Sequence, residues 1–232
     1  MWFERALLLA FLATSAAYFL LDPAEPGFVP WILLYSAQFA IYAALAWRSR
    51  NHAIPLGPVV TTALVCRVLL WFTDPVLEAD YYRYLWDGHV MSSGVNPYLH
   101  PPEAPELDAL ETDYRFFVTW SHVRTIYPPL AQYFFLLSHT IAPDSLLGLK
   151  ILLTILDVLT GILVSRWRTD VALLYWLNPL VLKEVANSAH VDALPMFLTT
   201  LAAIWMSRGV KRQGAWIVLA LGVAAKLYAV LL

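Results

Sequence analysis

Long apolar runs separated by short polar breaks set the pattern of this chain. Runs near the length of a membrane span cover residues 5–21, 28–47, 56–73, 128–142, 147–165, 171–183, 190–207 and 215–232. A helix needs roughly 20 apolar residues to cross a bilayer. The breaks have turn or loop chemistry. Asp22-Pro23 through Pro26-Gly27 predicts a tight turn, and Arg48-Ser49-Arg50-Asn51-His52 and Arg208 to Gln213 are basic loops. The pattern predicts an all-α, polytopic transmembrane helical bundle, a single module over 1–232, with one long polar insertion at 74–127.

Inside the insertion, Glu78 to Tyr98 is where charge, aromatic rings and a helical period coincide. The period predicts a helix from Asp80 to Ser92. Asp80, Arg83 and Asp87 share one face at spacings of three and four, while Tyr81, Tyr82, Leu85, Trp86 and His89 cluster on the other. Such a helix suits a membrane surface, with rings at headgroup depth and carboxylates toward water or a cavity. Gly94 and Asn96-Pro97 end it. After the link His100-Pro101-Pro102 to Pro105, a second interfacial helix is expected from Leu107 to Val123, carrying Phe116, Phe117 and Trp120. Tyr127-Pro128-Pro129 then opens the next span, where proline costs little.

Composition agrees with a membrane protein. The chain is 60% hydrophobic and 14% charged, with a mean hydropathy of +0.62, against about 45–50% and about 25% in soluble domains. No basic run points to nucleic acid. Cys66 is the single cysteine and has no intrachain partner. Residues 1–21 read as an uncleaved first span rather than a cleaved signal peptide. The insertion holds nine of the 17 acids and three of the 15 Lys and Arg, so the positive-inside rule puts it outside and the Arg48/Arg50 loop in the cytoplasm. The later charges fit the rule only if one segment dips in and returns. The segment 171–183, interrupted by Asn178-Pro179, suits that role, because broken backbone at membrane depth must line a cavity. Arg166 and Arg168 stay against the rule.

Candidate chemistry concentrates at two places. Glu78 and Asp80 sit at i and i+2 where a span ends. Asp80 reads as a general base, the pair reads alternatively as a divalent-cation site, and a solvated turn is the structural alternative. Asp87 suits a substrate hydrogen bond or support for Arg83, and a structural ion pair within the helix is the alternative. The stretch LKEVANSAHVDALP brings Lys183, Asn187, His190 and Asp192 within ten residues between apolar segments. Lys183 and His190 suit a phosphate, with Asp192 orienting His190, and helix capping by Asp192 is the structural alternative. Lys226, inside the last apolar run, would reach an anion or snorkel. Arg67 reads equally as an anion-reaching group and as a snorkelling or structurally paired one. There is no Gly-rich phosphate loop and no Cys/His run with zinc spacing.

The motifs DYYRYLWDGHV…GVNPY, IYPPLAQYFF, WLNPLVLKEVANSAHVDALP and AAKLY resemble, in order and spacing, the polytopic GT-C glycosyltransferases that use polyprenyl-phosphate-linked sugar. They look most like the mannosyltransferases of the glycosylphosphatidylinositol, lipomannan and phosphatidylinositol-mannoside type. The resemblance implies a helical membrane bundle whose first large outer loop carries the catalytic acid, here Asp80. It implies substrate contacts from Glu78, Arg83, Asp87, Lys183, Asn187, His190, Asp192 and Lys226. The partners implied are a polyprenyl-phosphate sugar donor, a lipid or glycan acceptor, and membrane lipids. The implied setting is a bacterial plasma membrane with the site facing outward. No cofactor is expected, and a divalent metal stays open. Relatives of this class are longer, so further C-terminal helices that help bind the donor are expected. Two rivals stand beside this reading: a polytopic transporter or lipid flippase, and an inactive truncated relative. Against a transporter is the absence of an inverted repeat.

Overall fold

The computed structural model describes residues 2–21, 27–209 and 212–231. The turn at Asp22 to Pro26 and Lys211 of the second basic loop lie outside them. The helices, in order, are α1 (Trp2–Ala16, continued by a 3-10 turn, Ala17–Leu20), α2 (Phe28–Ser49), α3 (Leu56–Trp71), α4 (Asp80–Ser92), α5 (Pro129–Ile141), α6 (Leu146–Trp167), α7 (Ala172–Trp176), α8 (Pro179–Val181), α9 (Ala193–Ser207) and α10 (Arg212–Ala225). A π-helical turn, Leu182–Asn187, follows α8, and no strand occurs among the described residues. The chain is an all-α membrane protein. Trp2–Leu20, α2 and α6 are long and apolar enough to cross a bilayer. At 1.5 Å per residue, a helix of 22 residues such as α2 covers about 33 Å. In α2 only Gln38 and Leu45 are buried. Trp31, Leu34, Ile41 and Tyr42 pack partly against the core, and Phe28, Val29, Leu33 and Trp47 face outward, as lipid allows and water does not.

The chain forms two compact units, one up to Leu77 together with Val158–Ser188, the other comprising Glu78–Asp157 and Ala189–Leu232. In the first, Phe11, Leu45, Cys66, Leu70, Trp176 and Leu177 form a core with no more than 2% exposure each. A Cβ on Gly161 would come within 2.7 Å of the Trp176 ring, so the indole lies flat on α6 and donates to the Ser165 hydroxyl at 2.8 Å.

The segment 171–183 is broken, as the Asn178-Pro179 pair predicts. Each break leaves backbone groups without a helical partner, and polar side chains supply them. Arg67 donates to the Trp176 carbonyl at 3.0 Å and lies over its ring at 5.4 Å. Asn178 caps α8 by accepting from the Leu180 amide at 3.0 Å, with Pro179 in the first turn. Asn187 is fully buried. It donates to Thr73 Oγ1 and the Asp74 carbonyl and accepts from the Val76 amide, at 2.7–3.0 Å. It thereby pins the turn after α3.

In the second unit α9 packs on α10, and α10 on α5. The α4–α5 contact is the closest-fitting. A Cβ on Gly88 would sit 2.5 Å from the Phe135 carbonyl oxygen, so only glycine lets the two helices meet there. The Tyr84 and Phe135 rings stack nearby at 4.8 Å. Gly94, at φ 80°, closes α4.

The expected second helix over 107–123 is not formed. Its place is taken by two 3-10 turns, Pro105–Leu110 and Arg115–Phe117, within a wound loop. The cause is Arg115, which draws the loop around itself. Its guanidinium donates to the carbonyls of Pro102 and Ala104 and to the carboxylates of Asp108 and Glu111, at 2.7–3.1 Å. Its other face covers the buried Trp86 ring at 5.2 Å. A straight helix running on from Leu107 would carry Arg115 about 12 Å along its axis, away from these carbonyls, so the loop winds back instead. Phe116, Phe117 and Trp120 are left exposed on the loop.

Removing Arg115 leaves the buried Pro102 carbonyl without that donor, while the Ala104 carbonyl keeps the Leu107 amide. Arg115→Ala is expected to destabilise the loop by about 1–3 kcal/mol and to open residues 99–124 to protease. Asp108→Asn, at a largely exposed partner, should change little. Limited proteolysis with unfolding followed by tryptophan fluorescence checks both.

Candidate active site

Asp80 opens α4, and the preceding Ala79 has no side chain to cap the helix. Glu78 does so instead. Its Oε1 accepts from the Ala79 and Asp80 amides at 2.9 and 2.8 Å, satisfying donors at the positive end of the helix. The two carboxylates therefore divide their work. Glu78 holds the backbone, and Asp80 is left with its side chain 42% exposed.

The Asp80 carboxylate has two neighbours. The Tyr127 hydroxyl donates to its Oδ2 at 3.2 Å, and His190 Nε2 lies 3.8 Å from the same oxygen. His190 turns Nδ1 onto Asp192, whose Oδ2 also accepts from Lys226 Nζ at 2.6 Å. Four side chains thus run in series: Asp80 on α4, His190 in the turn before α9, Asp192 at the start of α9, and Lys226 just past α10. Asp192 occupies the helix cap position but makes no side-chain cap bond, so its carboxylate serves the pair and not the helix. Ala189 beside His190 has φ 56°, a left-handed conformation that costs a non-glycine residue roughly 1–2 kcal/mol. Strain of this kind collects at functional sites.

Burial pulls the His190 pKa down, but the Asp192 carboxylate outweighs it and the net direction is up. Burial pulls the Asp192 pKa up, and His190 with Lys226 drives it well below the usual carboxylate range. The pair therefore favours an imidazolium on a carboxylate. Tyr127 is pushed up by burial and by Asp80, so its phenol stays a proton donor.

Asp80 opens on a cavity of about 390 Å³ walled by Thr119, Trp120, Arg124, Ile126 and Tyr127. Its shape depends on Arg83 and Asp87. Arg83 Nε donates to Asp87 at 3.0 Å, and Nη2 donates to the Val123 carbonyl at 2.9 Å. Gln132 ties Asp87 to the Thr125 hydroxyl, at 2.8 Å on each side. Of the polar stripe of α4, expected to face water or a cavity, Asp80 and Arg83 line this cavity, whereas Asp87 is 1% exposed. Asp87 turns inward because, with Arg83, it holds the 119–127 wall. Burial raises the Asp87 carboxyl against the pull of Arg83 and Gln132.

Of the sequence candidates, Glu78, Asp80, Arg83, Asp87, His190, Asp192 and Lys226 come together in the second unit. Lys183 and Asn187 belong to the first. There Lys183 pairs with Glu184 at 3.2 Å, and Asn187 holds the turn already described. Arg67, which was open to a phosphate role, is buried against Trp176.

Two residues at the cavity escaped the sequence reading. Tyr127 reads as the lead-in to a proline helix start. Arg124 is one of three cations in an acidic insertion, and that rarity is the signal that singles it out.

No curated protein and no solved structure matches the chain. A family model, alpha-(1->6)-mannopyranosyltransferase, N-terminal domain, matches residues 26–232. With a matched region that covers most of the chain and every residue of the site, the chain belongs to the alpha-(1->6)-mannopyranosyltransferase family.

Proposed function

We propose that this domain carries the catalytic base of a GT-C-type transferase that moves mannose from a polyprenyl-phosphate donor to a lipid or glycan acceptor at the outer membrane face. The observation that carries the reading is the division among the acids of α4 and its lead-in. Glu78 is held by backbone and Asp87 by Arg83, and Asp80 alone opens on the cavity.

In this mechanism Asp80 Oδ takes the proton of the acceptor hydroxyl as that oxygen attacks the anomeric carbon of the donor. The bond from that carbon to the phosphate oxygen breaks, polyprenyl phosphate leaves with the electron pair, and the centre inverts. Tyr127 holds Asp80 oriented by its hydrogen bond. His190, charged by its bond to Asp192, supplies positive potential beside Asp80. Arg124, an exposed cation on the cavity wall, meets the charge of the leaving phosphate. Lys226, which the sequence offers to a phosphate, keeps Asp192 ionised and acts through His190. The exposed Phe116, Phe117 and Trp120 suit the headgroup zone. The acid-rich insertion supports an outward-facing site.

Asp80→Asn is expected to cut transfer from polyprenyl-phosphate mannose about 10²–10⁴-fold, the range for a lost general base, with folding retained. Label transfer in membranes carrying the full-length protein measures it. Full transfer by the variant ends the assignment of Asp80. Donor lipid moved across the bilayer with no transferred label would favour the transporter reading instead.

His190 gives a pH test. Its pKa is raised on folding, so its contribution to stability is complete below the ordinary histidine value of 6.5. The contribution fades as pH rises through the folded value. The gap in melting temperature between wild type and His190→Gln should be widest near pH 6 and narrow toward pH 9. A gap that widens with pH would contradict the His190–Asp192 pairing.

A further inference from the structure

At the other end of α4, a second constellation lies outside the proposed chemistry. We propose that His89, His139 and Asp144 bind a divalent transition-metal ion of the zinc type. His89 is in the last turn of α4, His139 in the last turn of α5, and Asp144 in the turn between α5 and α6. His89 is nine positions beyond Asp80, or roughly 13 Å along the helix axis. The site is therefore separate from the proposed active site and does not rest on it.

The geometry points to a metal and not to a simple ion pair. His89 Nδ1 lies 3.3 Å from Asp144 Oδ2, and His139 Nδ1 lies 3.4 Å from Asp144 Oδ1. Both nitrogens are buried and make no hydrogen bond. A charge-assisted N–H···O bond would close to about 2.7–2.9 Å. Each nitrogen instead stands off a different oxygen of the carboxylate, which leaves room for an ion among the three side chains. One ligand atom from each of the three residues falls within 4.8 Å of the others. The two imidazole rings meet edge to face, 5.1 Å apart at 87°, so each can aim a nitrogen at one point.

The surroundings fit as well. The Tyr114 hydroxyl donates to Asp144 Oδ1, the outer hydrogen bond that orients a ligating carboxylate. Asp144 is the most exposed of the three, with 34% of its side chain open. A water or other exogenous ligand can therefore complete the coordination. Two imidazoles and one carboxylate suit zinc over calcium or magnesium, which take oxygen ligands. Gly88 makes the arrangement reachable. Its missing Cβ lets α4 approach α5, and a methyl there would also press within 3.3 Å of His139 Cβ. The bound ion would lock the distal ends of α4 and α5 and the entry to α6.

The test uses the full-length protein, purified with a tag free of histidine, stripped with chelator and dialysed against zinc. One zinc per chain by elemental analysis is expected. At zinc 100-fold above the Kd, the melting temperature should rise by about 5–10 °C over the stripped protein. Cobalt in place of zinc should give the visible bands of a tetrahedral site. His139→Gln and Asp144→Asn should each abolish loading, while His52→Gln, at an exposed site, should not. Wild-type protein that retains no zinc and shows no thermal shift overturns the proposal. So does undiminished loading in both variants.

Discussion

The close approach of α4 to α5 at Gly88 governs the second unit. No side chain stands between the helices there, so the Phe135 carbonyl sits where a Cβ would be. Everything placed by α4 is placed relative to α5 by that contact. At one end it sets Asp80 beside Tyr127, the residue that leads into α5. At the other it sets His89 beside His139. In the middle Tyr84 and Phe135 stack, and Gln132 reaches Asp87. One glycine thus aligns two polar sites along a single helix pair.

The charged groups follow a second constraint. A buried charge needs partners, and here those partners are often backbone groups left open by irregular chain. Arg115 gathers loop carbonyls, and Arg83 takes one from Val123. Arg67 fills the end of α7. This lets a strongly apolar chain carry arginines at low exposure, and it gives broken segments a defined path. The same habit explains why Arg83 and Arg67, attractive as anion binders, serve the fold.

Against this background the exposure of Asp80 stands out. It rests on Tyr127 and faces His190, and it still opens on the cavity. The series His190, Asp192 and Lys226 works from behind, each group fixing the charge of the one before it. Of the acids on α4 and its lead-in, Asp80 is the one that the fold leaves open to the cavity.

The apolar runs determined most of the helices, and the helical period of charge and rings determined α4. The observed helices follow the predicted runs closely, because roughly 20 apolar residues bounded by charge or proline have little choice but to form helix in lipid. The break at Asn178-Pro179 and the closure of α4 at Gly94 were also legible, since proline and glycine act on the local backbone. The sequence also singled out Asp80, His190, Asp192 and Lys226, because polar groups stand out in an apolar chain. It could not assign their roles. Whether Glu78 or Asp80 stays open depends on which one meets the helix amides, and whether Asp192 caps a helix or holds an imidazole depends on where Lys226 arrives. The loop at 107–123 followed Arg115 and its distant carbonyls, not its own helical period. Histidines 50 positions apart in the chain (His89 and His139) show no zinc spacing, and the α4–α5 contact alone brings them together. Local pattern is read from neighbours in sequence, whereas these sites are made by neighbours in space.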